Sequence, residues 1–152
     1  MGSELVRLLE AADFAARKHK EQRRKDPEGT PYINHPIVED TDTTFSEIEE
    51  WFGVEVRRVV EEVTDDKTLP KIERKRLQVE RAPGCSHRAK LVKLADKLYN
   101  LRDLNRCTPQ GWSAERVHEY FRWAARVVSG LRGTSAALEE ALQRLFEERG
   151  VA

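Results

Sequence analysis

His35, Asp96 and the carboxylates Glu39 and Asp40 that closely follow His35 are residue types that could hold a metal ion or do acid/base work. His35 is held between Asn34 and the rigid Pro36. The segment behind it, Val38-Glu39-Asp40-Thr41-Asp42, offers carboxylates for acid/base work or for a hard cation. Asp96 and Asn100 stand four residues apart in a helical pattern and therefore point the same way. Upstream, Arg17, Lys18, Lys20, Arg23, Arg24 and Lys25 set up a local positive field whose natural partner is an anion. Together these groups fit metal-assisted hydrolysis of a phosphate ester, in which the ion lowers the pKa of a bound water and clamps a phosphoryl oxygen. Each also has a plainer reading. A lone histidine is commonly structural, an acidic run is commonly a linker ahead of a helix, and basic residues commonly complement a helix end. No glycine-rich phosphate loop, Walker motif or Cys/His metal knot competes with the constellation. Cys85-Ser86-His87 could supply a ligand pair, or be a chance pair beside Pro83-Gly84.

The elements that would carry these residues read as helices. Ser3 can cap a first helix to about Lys20, and the segment 26–31 stops it. Thr44 or Ser46 starts the next; Ser46 with Glu49 reads as a capping box, and Gly53 ends or bends that helix before residues 54–63 continue the pattern. Pro70 suits a first helical position, so 71–82 reads as helix, closed by Pro83-Gly84. The Asp96 helix runs to about Cys107 with Leu91, Leu94, Leu98 and Leu101 as its apolar stripe and Val92, Asp96, Tyr99, Asn100 and Asp103 on the far side. If that second face is also packed, Asp96 needs a partner. Ser113 caps a helix bearing Val117, Tyr120, Phe121, Ala124, Val127, Val128 and Leu131, and Thr134 or Ser135 opens a last one with Leu138, Leu142, Leu145 and Phe146. No strand pattern survives this comparison, and the expected fold is an all-α, compact, irregular bundle.

Composition bounds the partners. The 152 residues fit one domain with room for a core. With 27 basic against 27 acidic residues the net charge is zero, so neither nucleic acid nor membrane is expected as a partner. No run has the length of a membrane span, the N-terminus lacks the apolar core of a signal peptide, and two cysteines are too few for a disulfide framework. A soluble, cytoplasmic protein is the expectation, and nothing sets its oligomeric state.

The motifs resemble those of a known family. Ala11-Ala12-Asp13-Phe14-Ala15-Ala16-Arg17-Lys18-His19, Arg23-Arg24-Lys25-Asp26, Gly29-Thr30-Pro31-Tyr32-Ile33-Asn34-His35-Pro36, Val38-Glu39-Asp40-Thr41 and Val92-Lys93-Leu94-Ala95-Asp96-Lys97-Leu98-Tyr99-Asn100-Leu101 are similar to the HD-domain hydrolases of the RelA/SpoT group. The resemblance is closest to the small stand-alone metazoan SpoT homologs and covers nearly the whole chain, so residues 1–152 are expected to form a single HD domain. It implies one bound manganese ion and removal of the 3′-pyrophosphate of guanosine 3′,5′-bis(diphosphate), ppGpp, giving GDP and pyrophosphate. It also implies NADPH phosphatase activity and a role in the stringent or starvation response. By the same resemblance His35 and Asp96 are metal ligands, and Glu39 and Asp40 are the acidic pair that works on the attacking water and leaving group. Arg24 and Lys25 contact phosphate, Tyr32 and Asn100 line the nucleotide pocket, and Lys71, Arg116 and Tyr120 are further substrate contacts.

One departure stands out. In the family, His-Pro leads through a long helical stretch to the His-Asp doublet that names the domain, and Val-Glu-Asp-Thr follows that doublet. Here His35-Pro36-Ile37 runs directly into Val38-Glu39-Asp40. Roughly two dozen residues, a helix with its turns, are absent between Ile37 and Val38. The clean edges resemble a skipped exon or gene-model variant. The doublet would supply two of four protein ligands, so the expectation is a weakly held or absent manganese ion, a bundle with one core helical segment missing, and an impaired hydrolase. The competing readings are a non-catalytic module that still binds nucleotide polyphosphate through Arg24, Lys25, Tyr32 and Asn100, and an unstable splice product.

Overall fold

The computed structural model describes Val38 and residues 41–151. Among them the chain forms six α-helices and one short 3-10 turn, without strands: α1 (Phe45–Phe52), α2 (Val54–Val63), α3 (Lys71–Arg81), the turn Ala82–Gly84, α4 (His87–Arg106), α5 (Ala114–Ser129) and α6 (Ala136–Glu148). The expected all-α architecture is what the described residues adopt. The expected helix over 3–20 and the breaker at 26–31 lie outside them.

Local chemistry sets the boundaries. Thr44 caps α1, its hydroxyl accepting from the Glu47 amide at 3.1 Å. This corrects the capping box expected at Ser46: Ser46 lies inside the first turn, and the Glu49 carboxylate instead takes Arg57 Nη1 of α2 at 2.5 Å. Gly53 sits at φ 90° and ψ 170°, a conformation only glycine adopts readily, and so ends α1 and begins α2 in one residue. Pro70 precedes α3, whose last residue is Arg81; the segment 82–84 tightens into the 3-10 turn instead of prolonging the helix. Ser86, Ser113 and Ser135 cap α4, α5 and α6, each hydroxyl accepting an amide three residues on. The Glu62 carboxylate accepts from both the amide (2.8 Å) and the hydroxyl (2.6 Å) of Ser86, which ties the end of α2 to the start of α4. Cys85 and Ser86 are thus used in a helix junction, and the described residues assemble no metal site around Cys85 and His87.

The core is built where α4, α5 and α6 meet. Leu94, Leu98, Leu101 and Leu104 of α4 pack in one cluster with Val117, Phe121, Ala124, Val127 and Val128 of α5 and Leu142 and Phe146 of α6, closed by Leu131. α3 packs on α5, and α2 on α4. The buried face of α4 is rotated from the expected stripe. At 100° per residue, the buried positions Lys93, Leu94, Lys97, Leu98, Leu101 and Leu104 define a face centred between Lys97 and Leu94, which puts Leu91 at its rim, half-buried. The far side is not packed throughout: Val92 and Tyr99 are exposed, whereas Asp96, Asn100 and Asp103 are half-buried. No helix among the described residues is long and apolar enough to cross a membrane.

Candidate functional site

Rotation of α4 carries two lysines inward, and one of them meets Asp96. The Lys97 side chain is 7% exposed and that of Asp96 33%, with Nζ 3.0 Å from Asp96 Oδ2. Asn100, one turn on, donates from Nδ2 to Asp96 Oδ1 at 3.2 Å. Burial alone would depress the Lys97 ammonium, but the facing Asp96 carboxylate, with Tyr120 and Asp65 nearby, holds its pKa above the ordinary lysine value. Asp65 is held in turn by Gln78 of α3, whose Nε2 donates to Oδ2 at 2.5 Å.

Next to this pair, α3 and α5 assemble a basic and aromatic face. Trp123 Nε1 donates to the Lys75 carbonyl at 3.0 Å and locks the two helices in register. Lys97 Nζ lies 4.7 Å and Lys75 Nζ 4.9 Å from the Trp123 ring centroid, both within cation–π range. Tyr120 meets Trp123 edge-on at 5.3 Å between centroids and stands 6.1 Å from Trp112. Arg116, four residues beyond Trp112, lays its guanidinium 4.0 Å from the Trp112 ring centroid. Lys71 is exposed at the first position of α3, one turn before Lys75. Burial pushes the Lys75 ammonium below its usual pKa, and the neighbouring charges of Lys71, Arg116 and Lys97 push it further the same way.

Among the described residues, the charges of this face are not neutralised by carboxylates. Elsewhere Arg57, Arg76, Arg88, Arg106, Arg122 and Arg144 each pair with a carboxylate. Among the described residues, no carboxylate stands within ion-pair distance of Lys71, Lys75 or Arg116. Cations left unpaired beside aromatic rings are suited to an anionic ligand that also carries a flat surface.

Of the residues expected from sequence, Lys71, Arg116 and Tyr120 therefore fall on one face, and Asp96 and Asn100 bond to each other on α4. Arg24, Lys25, Tyr32, His35, Glu39 and Asp40 lie outside the described residues. Lys75, Lys97, Trp112 and Trp123 were not singled out from sequence. The spacing of four from Lys71 to Lys75 on α3, and from Trp112, just ahead of α5, to Arg116, is the signal for two of them. The described residues do not make a metal centre. No three of their His, Cys, Asp and Glu side chains converge, and the two oxygens of Asp96 are already engaged by Lys97 and Asn100.

The comparisons with known proteins agree with this architecture. A family model described as HD domain matches residues 33–122. The chain is 66% identical, over 177 aligned positions covering 99% of each chain, to the guanosine-3′,5′-bis(diphosphate) 3′-pyrophosphohydrolase MESH1 of Homo sapiens. That aligned span exceeds the 152 residues of this chain by 25 positions. Identity to the protein of the same name from Drosophila melanogaster is 48%, covering 96% of each chain. A solved structure described as a metazoan ortholog of SpoT that hydrolyzes ppGpp and plays a role in starvation responses superposes with a TM-score of 0.92 at 47% identity, covering 96% of this chain and 97% of that one. The chain belongs to the HD-domain family, in the group of the animal guanosine-3′,5′-bis(diphosphate) 3′-pyrophosphohydrolases.

Proposed function

We propose that this chain recognises guanosine 3′,5′-bis(diphosphate) on the α3–α5 face and hydrolyses it to GDP and pyrophosphate at a reduced rate. The observation that carries this reading is the trio Lys71, Lys75 and Arg116, without a carboxylate partner among the described residues and beside Tyr120 and Trp112, in a chain so similar to proteins named for that reaction. Phosphate oxygens satisfy the cations, with the planar Arg116 fork able to take two oxygens at once. Tyr120 offers its ring to the nucleoside. Asn100, which donates to Asp96 on α4, adds a contact to the nucleotide. Glu39 and Asp40 activate water and protonate the leaving group, and Arg24, Lys25 and Tyr32 add contacts to phosphate and nucleotide. NADPH, whose 2′-phosphate presents similar chemistry, is a second substrate.

The reduced rate follows from the donor set. His35 and Asp96 are the carbon copy of only half a ligand set, and a manganese ion held by two protein groups would be bound weakly. The 25 surplus aligned positions support the reading that relatives carry a segment this chain lacks between Ile37 and Val38. A second reading, a nucleotide-binding module without turnover, is favoured by the engagement of both Asp96 oxygens by Lys97 and Asn100. One experiment separates the two. Pyrophosphate release from ppGpp is followed for the purified chain and for His35→Ala and Asp96→Ala, with bound manganese measured by elemental analysis. Release abolished by either substitution supports the hydrolase. Nucleotide binding without release or metal supports the module, and the absence of both binding and release overturns both readings.

A further inference from the structure

Lys75 and Lys97 lie over the same indole, at 4.9 and 4.7 Å from the Trp123 centroid, yet their charges are treated differently. Lys97 is neutralised by Asp96 at 3.0 Å. Lys75 meets no carboxylate among the described residues; among them the charges that act on it are those of Lys71, Arg116 and Lys97, all positive. A lysine retained only for packing would gain more from an acidic neighbour than from three cations, because a half-buried ammonium loses hydration that something must replace. The rings of Trp123 and Tyr120, the latter 5.5 Å from Nζ, replace part of it.

We propose that Lys75 is a further substrate-binding residue, the inner cation of the α3–α5 face, whose ammonium takes a phosphoryl oxygen between Lys71 and Arg116. The assignment rests on the nucleotide reading above and adds a residue to it. Two features prepare Lys75 for the task. The Lys75 carbonyl accepts from Trp123 Nε1 at 3.0 Å, which fixes the backbone from which the side chain extends. An arriving phosphoryl group also relieves the mutual repulsion of Lys71, Lys75 and Arg116, so binding is favoured by a tension already present in the free protein. Burial first, and the neighbouring positive charges after it, hold the Lys75 ammonium below its usual pKa, and a phosphoryl oxygen offsets both.

The test is a calorimetric titration of the full chain with inorganic pyrophosphate as the probe. Lys75→Met keeps an aliphatic stem over the rings, Lys75→Arg restores the charge, and Arg144→Gln alters an exposed ion pair on α6 as a control. The expected result is binding weakened about tenfold in Lys75→Met, recovered to within about threefold in Lys75→Arg, and unchanged in Arg144→Gln. The dependence of binding on salt should also become shallower in Lys75→Met, which a purely structural role would not produce. Pyrophosphate binding in Lys75→Met equal to wild type overturns the role of Lys75 and leaves the nucleotide reading standing. Lys75-dependent pyrophosphate binding in a chain that neither binds nor hydrolyses ppGpp sustains the role and overturns the nucleotide reading. Should Lys75→Met fail to fold, wild-type affinity in a folded Lys75→Gln overturns the role equally, and an about tenfold loss there sustains it.

Discussion

Lys97 Nζ stands 3.0 Å from Asp96 Oδ2, so the carboxylate expected from sequence to face a metal ion is held by a cation from the next residue of its own helix. The lysine is the more deeply buried partner, and its charge depends on the carboxylate. Removing Asp96 leaves a buried ammonium uncompensated, whereas replacing Lys97 by an apolar group of similar shape leaves a carboxylate that is one-third exposed and still bonded to Asn100. Asp96→Ala should therefore destabilise the chain by about 2 kcal/mol, and Lys97→Met by less than about 1 kcal/mol, in urea unfolding. The reverse order would mean that the ammonium escapes to water when Asp96 is lost.

The indole of Trp123 is the joint between α3 and α5. Trp123→Phe keeps most of the ring but leaves the Lys75 carbonyl without its 3.0 Å donor, at an expected cost of about 1 kcal/mol. Trp123→Ala, which empties a buried site, should cost about 3 to 5 kcal/mol. Far-ultraviolet circular dichroism during denaturation reads both.

At Gly130 the chain tolerates no side chain for reasons of space. A Cβ there would stand 2.9 Å from Ala82 Cβ and 3.0 Å from Pro83 Cδ, where the end of α5 crosses the 3-10 turn. Its φ of −81° is ordinary, so backbone strain plays no part. Gly130→Ala should lower stability by about 1 to 3 kcal/mol, and Gly84→Ala, with open space around its Cβ, should not produce that loss through overpacking. Thermal unfolding of the two variants makes the comparison.

Acid should loosen the start of α6 through Glu139. Burial works to raise its pKa, but the amides of Gly133 (3.0 Å to Oε1), Ser135 (3.0 Å to Oε2) and Thr134 (3.1 Å to Oε2) outweigh it, and the carboxyl lies below its ordinary value. A depressed folded-state pKa contributes stability that is present above the unfolded value and is lost as pH falls through the folded one. Wild type should therefore lose stability between about pH 5 and pH 3 more steeply than Glu139→Gln, whose unfolding midpoint is followed over the same window.

Much of this fold was legible because helix ends and apolar spacing are local. Gly53, Pro70, Ser113 and Ser135 all act at the boundaries where their chemistry puts them. Ser46 misled because Thr44, two residues earlier, offers the same hydroxyl and its carbonyl already takes the Ile48 amide. The burial of Lys97 was not legible, because a lysine reads as solvated until Asp96 and Trp123 are seen to meet it from two helices. Lys71, Arg116 and Tyr120 came from motif resemblance. Their gathering on one face depends on how α3 packs on α5, which no local pattern encodes.

The central claim is that Lys71 and Lys75 of α3 and Arg116 of α5 hold a nucleotide bearing two diphosphates. Equilibrium titration of ppGpp into the wild-type chain and into Arg116→Ala tests it most directly, since Arg116 rests on Trp112 and meets no carboxylate among the described residues. The account predicts saturable wild-type binding, weakened about tenfold by Arg116→Ala as one charge-assisted contact is lost. Absence of wild-type binding, or equal affinity in the two proteins, would contradict it.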